Sequence, residues 1–357
     1  MRKINMKLIP GDGIGIDVVR EGSKVLKTLE ELHGGIRFEL DQMDWGCEYY
    51  LRTNKMMPDD GLKILADSDA ILLGAIGFPG VPDHISLREL LLPIRQQFDQ
   101  YINLRPVKLL EGLRSPLALE DHQKIDFVVI RENTEGEYCG IGHMEHEGTP
   151  LETAVQVARF TRRGTARVIR YAFEYARKNG LKRFISATKS NALNVSMVFW
   201  DRIFKETCPD YPEIEARSIH IDALAGLFIT HPEKIDIVVA SNLFGDILTD
   251  LGSAMLGSIG ISPSANLNPE RTFPSMFEPV HGSAPDIAGK GIANPIGMIW
   301  SIVLMLEHLE LNETARFLMK AMTAVIKEGR KKTPDMGGRS KTEEVVAEII
   351  GKLRALS

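Results

Sequence analysis

Short apolar, β-branched runs alternate with segments of helical period along most of the chain. Strand-like runs fall at 6–9, 69–76, 126–130, 183–187, 214–221 and 235–239. Amphipathic helices are predicted at 15–33, 161–179, 194–207, 222–230 and 241–256. This alternation specifies an α/β fold with covered sheets. The end of the chain changes character: "NETARFLMKAMTAVIKEG" and "SKTEEVVAEIIGKLRAL" both read as helices, the second opened by a capping box at Ser340-x-x-Glu343. The longest apolar run, near "GMIWSIVLML" at 297–306, is too short to span a bilayer. Neither an internal repeat nor a low-complexity linker is visible, so domain boundaries cannot be read from linker composition.

One of these helices carries an electrostatic conflict. In "SNLFGDILTDLGS" (241–253), Asp246 and Asp250 stand four residues apart on one face, among Leu243, Phe244, Ile247, Leu248 and Leu251. Like charges at that spacing repel. Asp222, in "IHIDALAGLF", sits at a strand-to-helix junction, and with Asp246 and Asp250 would make an all-oxygen site suited to Mg²⁺ or Mn²⁺. Taken alone, the segment fits Asp222 equally well as a helix N-cap. Lys189, in "SATKSNAL", falls just past a strand end, the usual place for chemistry in an α/β sheet. Arg95 and Arg105, in "LPIRQQFDQYINLRPV", and Arg131, in "VVIRENTEGEY", suit planar, bidentate grip on carboxylates, although each alone is more often a surface ion-pair residue.

Other motifs carry less. "IPGDGIG" (9–15) follows a strand and precedes a helix, but Ile16 stands where the dinucleotide fingerprint needs glycine, and no Gly-Lys-Ser/Thr closes a P-loop. A tight strand-to-helix turn is the better reading. "HMEH" (143–146) could be a metal pair, but its Gly-rich polar surroundings favour a solvated loop or hairpin. No GxSxG elbow or reactive-cysteine context supports covalent hydrolysis.

Composition narrows the class. A chain of 357 residues exceeds one ordinary core, so about two domains are expected. The formal charge of −5, with dispersed Lys and Arg, gives no footprint for nucleic acid or an anionic membrane. Cys47, Cys139 and Cys208 are odd in number and far apart, without zinc spacing, which points to reduced thiols in a cytoplasm. "MRKINMKLIPGDG" runs straight into a strand, with no signal-peptide core.

The anchors IPGDGIG, LRPV, RENTEGEY, TKSN, SNLFGDILTDL and EPVHGSAPDIAGKGIANP together resemble the β-decarboxylating dehydrogenases of (R)-2-hydroxy diacids, nearly end to end. "CEYYLRTNKMMPDDG", "VPDHISL", "FDQYINLRPV" and "SANLNPERTFPSMFEPVHGSAPDIAG" resemble the tartrate/D-malate branch most closely. The resemblance implies an isopropylmalate dehydrogenase-like two-domain fold with a mixed sheet, not a standard Rossmann domain. Its larger cofactor-binding domain would comprise 1–103 and 257–357. A smaller dimerisation and substrate/metal domain, 104–256, would carry a strand arm at about 138–155, with the cleft between the two domains. The implied homodimer shares its sites: Lys189 and Asp222 come from one subunit, and Arg95, Arg105, Arg131, Tyr138, Asp246 and Asp250 from the other. Asp222, Asp246 and Asp250 then correspond to metal ligands, whose repulsion a divalent cation cancels.

The resemblance also implies roles. Lys189 acts as general base at the 2-hydroxyl, as its neutral amine or through a water, and Tyr138 delivers a proton to C3 after CO₂ leaves. Mg²⁺ or Mn²⁺ serves as the metal, with K⁺ as a further ion. In the adenosine loop, His281 and Asn294 would flank adenine and Gly282, Ser283 and Ala284 approach the phosphates. Asp286 can accept from both ribose hydroxyls but repels a 2′-phosphate, so the cofactor is NAD. The specificity segment "SLRELLLPIR" keeps Leu91 and Leu92, with Arg88 where isopropylmalate enzymes carry Glu; a solvent-facing helix position explains Arg88 equally well. D-malate, oxidised to pyruvate and CO₂, is the expected substrate, with tartrate also used; 3-isopropylmalate dehydrogenase is the runner-up. A non-catalytic regulatory subunit would have lost ligands that stand here, and a phosphate-binding transferase would need the missing P-loop.

Overall fold

The computed structural model describes residues 1–120 and 122–357. The chain opens with β1 (Arg2–Gly11), α1 (Ile14–His33), β2 (Ile36–Gln42), α2 (Cys47–Thr53), α3 (Gly61–Ala66) and β3 (Ala70–Ala75). Next come α4 (Asp83–Ser86), a π-helical turn (Leu87–Leu91), α5 (Leu92–Gln97), β4 (Ile102–Lys108) and β5 (Asp126–Glu132). A short hairpin, β6 (Gly142–Glu145) and β7 (Thr153–Gln156), precedes α6 (Arg162–Asn179), β8 (Arg183–Thr188) and α7 (Ser196–Thr207). Then follow β9 (Glu215–His220), α8 (Ile221–Thr230), β10 (Ile237–Ala240), α9 (Asn242–Met255), β11 (Pro263–Leu267) and β12 (Ser275–Pro279). Three helices close the chain: α10 (Ile296–His308), α11 (Asn312–Glu328) and α12 (Thr342–Leu356).

Two compact units result, one of Met1–Gln100, Lys108–Ala118 and Ser253–Ser357, the other of Tyr101–Val107 and Leu119–Gly252. In the first, the strands lie in the order β2-β1-β3-β12-β11. β1 pairs parallel with both β2 and β3, and β12 parallel with β3, while β11 and β12 are antiparallel, so the sheet is mixed. β3, AILLGA, is buried at every position, as a central strand covered on both faces must be. The "GMIWSIVLML" run lies in α10, buried from Ile296 to Leu306. It packs on β11 and β12, and α11 packs on it in turn. Burying each large apolar side chain of such a helix stabilises by about 1.5–3 kcal/mol.

"GDGIG" is a structural turn. Gly13 takes φ 57°, and the Ile14 N–H donates to the Ser283 carbonyl at 2.8 Å. A Cβ on Gly13 would stand 2.0 Å from that carbonyl oxygen, so only glycine lets the turn and the 281–284 segment meet. The buried Asp12 carboxylate accepts from the backbone N–H groups of Cys47 and Gly77, each at 2.9 Å, and so ties three loops of this unit together. α12 begins at Thr342, one residue later than the capping-box reading requires. Glu344, not Glu343, reaches back to accept from the Lys341 N–H at 2.8 Å. Lysine offers no side-chain acceptor, so only half of the box forms.

In the second unit the order is β4-β5-β10-β8-β9, with β5, β10, β8 and β9 mutually parallel. Phe173 of α6 stacks on Phe184 of β8 at 4.1 Å and on Tyr211 at 4.6 Å, which seals α6 to the sheet. "HMEH" falls in the β6/β7 hairpin, where His143 faces Glu145 at 2.9 Å and His146 turns at φ 53°. No helix among the described residues is long and apolar enough to cross a membrane. Cys47, Cys139 and Cys208 are free thiols.

Candidate active site

The strongest cluster forms in the second unit, where β4, β5 and α9 run side by side. Arg131, near the end of β5, is only 2% exposed, and its Nη1 donates to the Asp246 carboxylate. Arg105 of β4 donates to Thr249 Oγ1 at 2.6 Å and meets Asp246 at 3.5 Å. The Tyr138 hydroxyl donates to the other Asp246 oxygen at 3.0 Å, and the Arg131 guanidinium lies 5.6 Å from its ring centre. Burial, followed by the Asp246 charge, raises the Tyr138 pKa and keeps the phenol protonated. One turn along α9, Asp250 is also pushed up, first by the surrounding protein and then by Asp246, against the pull of Arg105 and Arg131. Two carboxylates on one face, with two buried guanidinium groups and a phenol, can grip both a cation and a substrate carboxylate.

Lys189 and Asp222 form a separate pair, Nζ to Oδ1 at 2.9 Å. The Lys189 hydrogen bond draws the Asp222 pKa down. Asp222 lies in the first turn of α8, while the cap position belongs to His220, so the N-cap reading of Asp222 does not hold. The chemistry of Asp246 and Asp250, hard oxygen donors one turn apart, fits a divalent cation such as Mg²⁺ or Mn²⁺. Among the described residues of one chain, however, no three His, Cys, Asp or Glu side chains gather to hold a metal, so Asp222 does not join the α9 pair.

Two groups belong to the first unit. Arg95, in α5, is buried and donates to Glu278 at 2.8 Å; the same Glu278 oxygen accepts from Asn266 at 2.7 Å. Leu91 closes the π-helical turn and packs on the core around Phe98, while Leu92 opens α5. Arg88 is exposed on that turn. The second group is the loop after β12. His281 is buried, its Nδ1 contacts the Gly282 carbonyl at 2.9 Å, and burial pulls its pKa down. Its Nε2 has no partner among the described residues, an orphaned buried atom that fits a nucleotide seat. Ala284 takes φ 39°, Gly282 and Asp286 are exposed, and Ser283 is buried against the "GDGIG" turn. Asn294 donates to Asp335 at 2.8 Å and accepts from the Ile296 N–H at 3.0 Å.

Sequence reasoning passed over several residues that hold these groups. Asn242 accepts from Arg131, Glu278 holds Arg95, and Asp335 holds Asn294. Asn242 stood inside "SNLFGDILTDL", but its hydrogen bond to Arg131 spans 111 positions and no local pattern encodes it.

The sequence profile of isocitrate/isopropylmalate dehydrogenases matches residues 5–349. A Bacillus subtilis protein named probable tartrate dehydrogenase/decarboxylase is 52% identical, covering 100% of this chain and 99% of its own length. The Escherichia coli D-malate dehydrogenase (decarboxylating) is likewise 52% identical, with 99% of each chain covered. Among solved structures, the isocitrate dehydrogenase of Methylococcus capsulatus superposes with a TM-score of 0.88 at 34% identity, covering 99% of this chain and 100% of its own.

Proposed function

The chain belongs to the isocitrate/isopropylmalate dehydrogenase family, and we propose that it carries out the oxidative decarboxylation of a small (R)-2-hydroxy diacid. D-malate, going to pyruvate and CO₂, is the leading substrate, and tartrate a second one. The chain is an oxidoreductase of the tartrate/D-malate dehydrogenase type, as the names of its half-identical relatives support. Enzymes of this family generally use NAD and a divalent metal. The observation that carries the reading is the convergence of Arg105, Arg131 and Tyr138 on Asp246, with Asp250 one turn away.

Asp246 and Asp250 would hold Mg²⁺ or Mn²⁺, completed by Asp222 of a second chain, with K⁺ as a further ion. His281, Gly282, Ser283, Ala284, Asp286 and Asn294 would hold NAD. When bound, the cation supplies positive charge at the 2-oxygen and NAD supplies the hydride acceptor. Lys189 takes the 2-hydroxyl proton, and Asp222 steadies its ammonium form. Arg105 and Arg131, with Arg95 as a third, grip the carboxylates and set the direction of the C–C bond that breaks. Tyr138, with its phenol kept protonated, returns a proton to C3. Leu91 and Leu92 line the substituent side.

The homodimer belongs to this proposal. Its support lies in the second unit: Asp222 stays apart from Asp246 and Asp250 within one chain. A substrate panel of D-malate, L-tartrate, meso-tartrate, 3-isopropylmalate and isocitrate, with NAD, Mn²⁺ and K⁺, tests the reading. D-malate is expected to give the highest kcat/KM. If 3-isopropylmalate does instead, the branch assignment fails.

A further inference from the structure

We propose that Asn242 is a positioning residue that fixes, through one amide, both Arg131 and the segment leading to Tyr138. This rests on the reading of Arg131 as a grip for a substrate carboxylate. Asn242 is 1% exposed at the start of α9. Its Oδ1 accepts from Arg131 Nε at 3.0 Å and Nη2 at 2.7 Å, while its Nδ2 donates to the Glu135 carbonyl at 3.0 Å. Those partners fix which end of the amide is oxygen, because the guanidinium can only donate and the carbonyl only accept.

The consequence is geometric. Arg131 has many rotamers, and holding its Nε edge leaves Nη1 aimed at Asp246. The Glu135 carbonyl lies three residues before Tyr138, whose hydroxyl meets the same Asp246. A second tether runs beside the first, from the Leu243 N–H to Glu137 at 3.3 Å. Gly245, one turn along α9, leaves room for the aliphatic stem of Arg131; a Cβ there would stand 2.6 Å from its Cβ and Cγ. One side chain thus sets the register between β5, α9 and the loop that carries the phenol.

The test uses the full-length protein with Asn242→Ala, Asn242→Asp and Arg131→Lys, each checked for folding by circular dichroism and melting. Substrate is whichever hydroxy diacid the panel turns over best. Asn242→Ala is expected to raise KM for the diacid about tenfold or more while KM for NAD stays within about twofold. Asn242→Asp keeps the acceptor for Arg131 but sets an oxygen against the Glu135 carbonyl. It is expected to hold the diacid KM within about threefold, yet to delay pyruvate behind NADH in single-turnover traces. A folded Asn242→Ala with both KM values unchanged overturns the proposal. So does a parallel loss in kcat alone that tracks the folded fraction, which marks a merely structural role. Should Arg131→Lys itself leave the diacid KM unchanged, the reading of Arg131 fails instead, and the two failures are distinguishable.

Discussion

The exposed carboxylate of Asp286 sits in the loop after β12, two residues beyond the positive-φ Ala284. In the proposed NAD seat, a carboxylate there would accept from ribose hydroxyls and repel a phosphate. Asp286→Lys should therefore weaken NAD and improve relative NADP use, with each charged contact contributing on the order of 1–3 kcal/mol. The kcat/KM ratio for the two cofactors measures it, and an unchanged ratio removes the proposed role. Tyr138 supports a second prediction at this scale. Burial and Asp246 raise its pKa, so the phenol stays protonated through the neutral range and can donate. Tyr138→Phe should slow pyruvate release more than hydride transfer, so that NADH appears ahead of pyruvate in single-turnover traces. Small, equal effects on both steps would leave Tyr138 as a residue that only positions substrate. Lys189, Asp222, Asp246, Asp250 and the three arginines stood out in the sequence as candidates because their residue type and place near strand or helix ends suggest chemistry, whereas Tyr138 and Asp286 came only from the family resemblance. The residues that hold these side chains did not stand out, since Asn242, Glu278 and Asp335 act through partners brought together only by the fold.

Between elements, α9 approaches β5 closely enough that one methyl group decides the fit. Gly245→Ala would press a Cβ against Arg131, an overpacking cost of about 1–3 kcal/mol. A lower melting temperature together with a raised diacid KM is expected, and a variant that melts and binds like the wild type would show that β5 yields freely. At the end of α10, His308 Nε2 lies 3.0 Å from Ser275 Oγ, and burial pulls its pKa down to about 4 from 6.5. The unfolded chain binds this proton at higher pH than the native one. Stability from His308 is therefore complete above about pH 6.5 and is lost as pH falls toward 4, about 3 kcal/mol in all. His308→Gln should flatten that acid limb of the melting temperature against pH, and an unaltered limb would clear His308 of the effect. The elements themselves differ in how openly the sequence announces them. α1, α6 and α9 carry amphipathic stripes and were readable. β11, PSANL, and β12, SMFEP, have few β-branched residues and become strands because the sheet buries them on both sides. α12 starts one residue later than local pattern predicts: Ser340 is the better capping residue, but the fold ties its N–H to the Lys332 carbonyl and leaves Lys341 at the cap, with Glu344 at the matching spacing.

At the scale of the whole molecule, the question is whether one chain can assemble a complete site. Within the second unit, Lys189 pairs with Asp222, while Asp246 and Asp250 sit with Arg105, Arg131 and Tyr138, and among the described residues no third carboxylate joins them. If two chains share their sites, lesions in the two sets should complement. Lys189→Met removes the proposed base and Asp246→Asn weakens the proposed metal site, so each homodimer should be nearly inactive. In a refolded mixture, a heterodimer has one site carrying both lesions. Its other site takes Lys189 from the Asp246→Asn chain and Asp246 from the Lys189→Met chain, and is intact. Random pairing makes about half of the dimers hybrid, so activity should recover to roughly a quarter of the wild-type value when sites act independently. Were both residues to serve a site within one chain, every site would carry a lesion and nothing could recover. A mixture that verifiably exchanges subunits, by mass or by fluorescence transfer, and still shows no activity would reject the shared site.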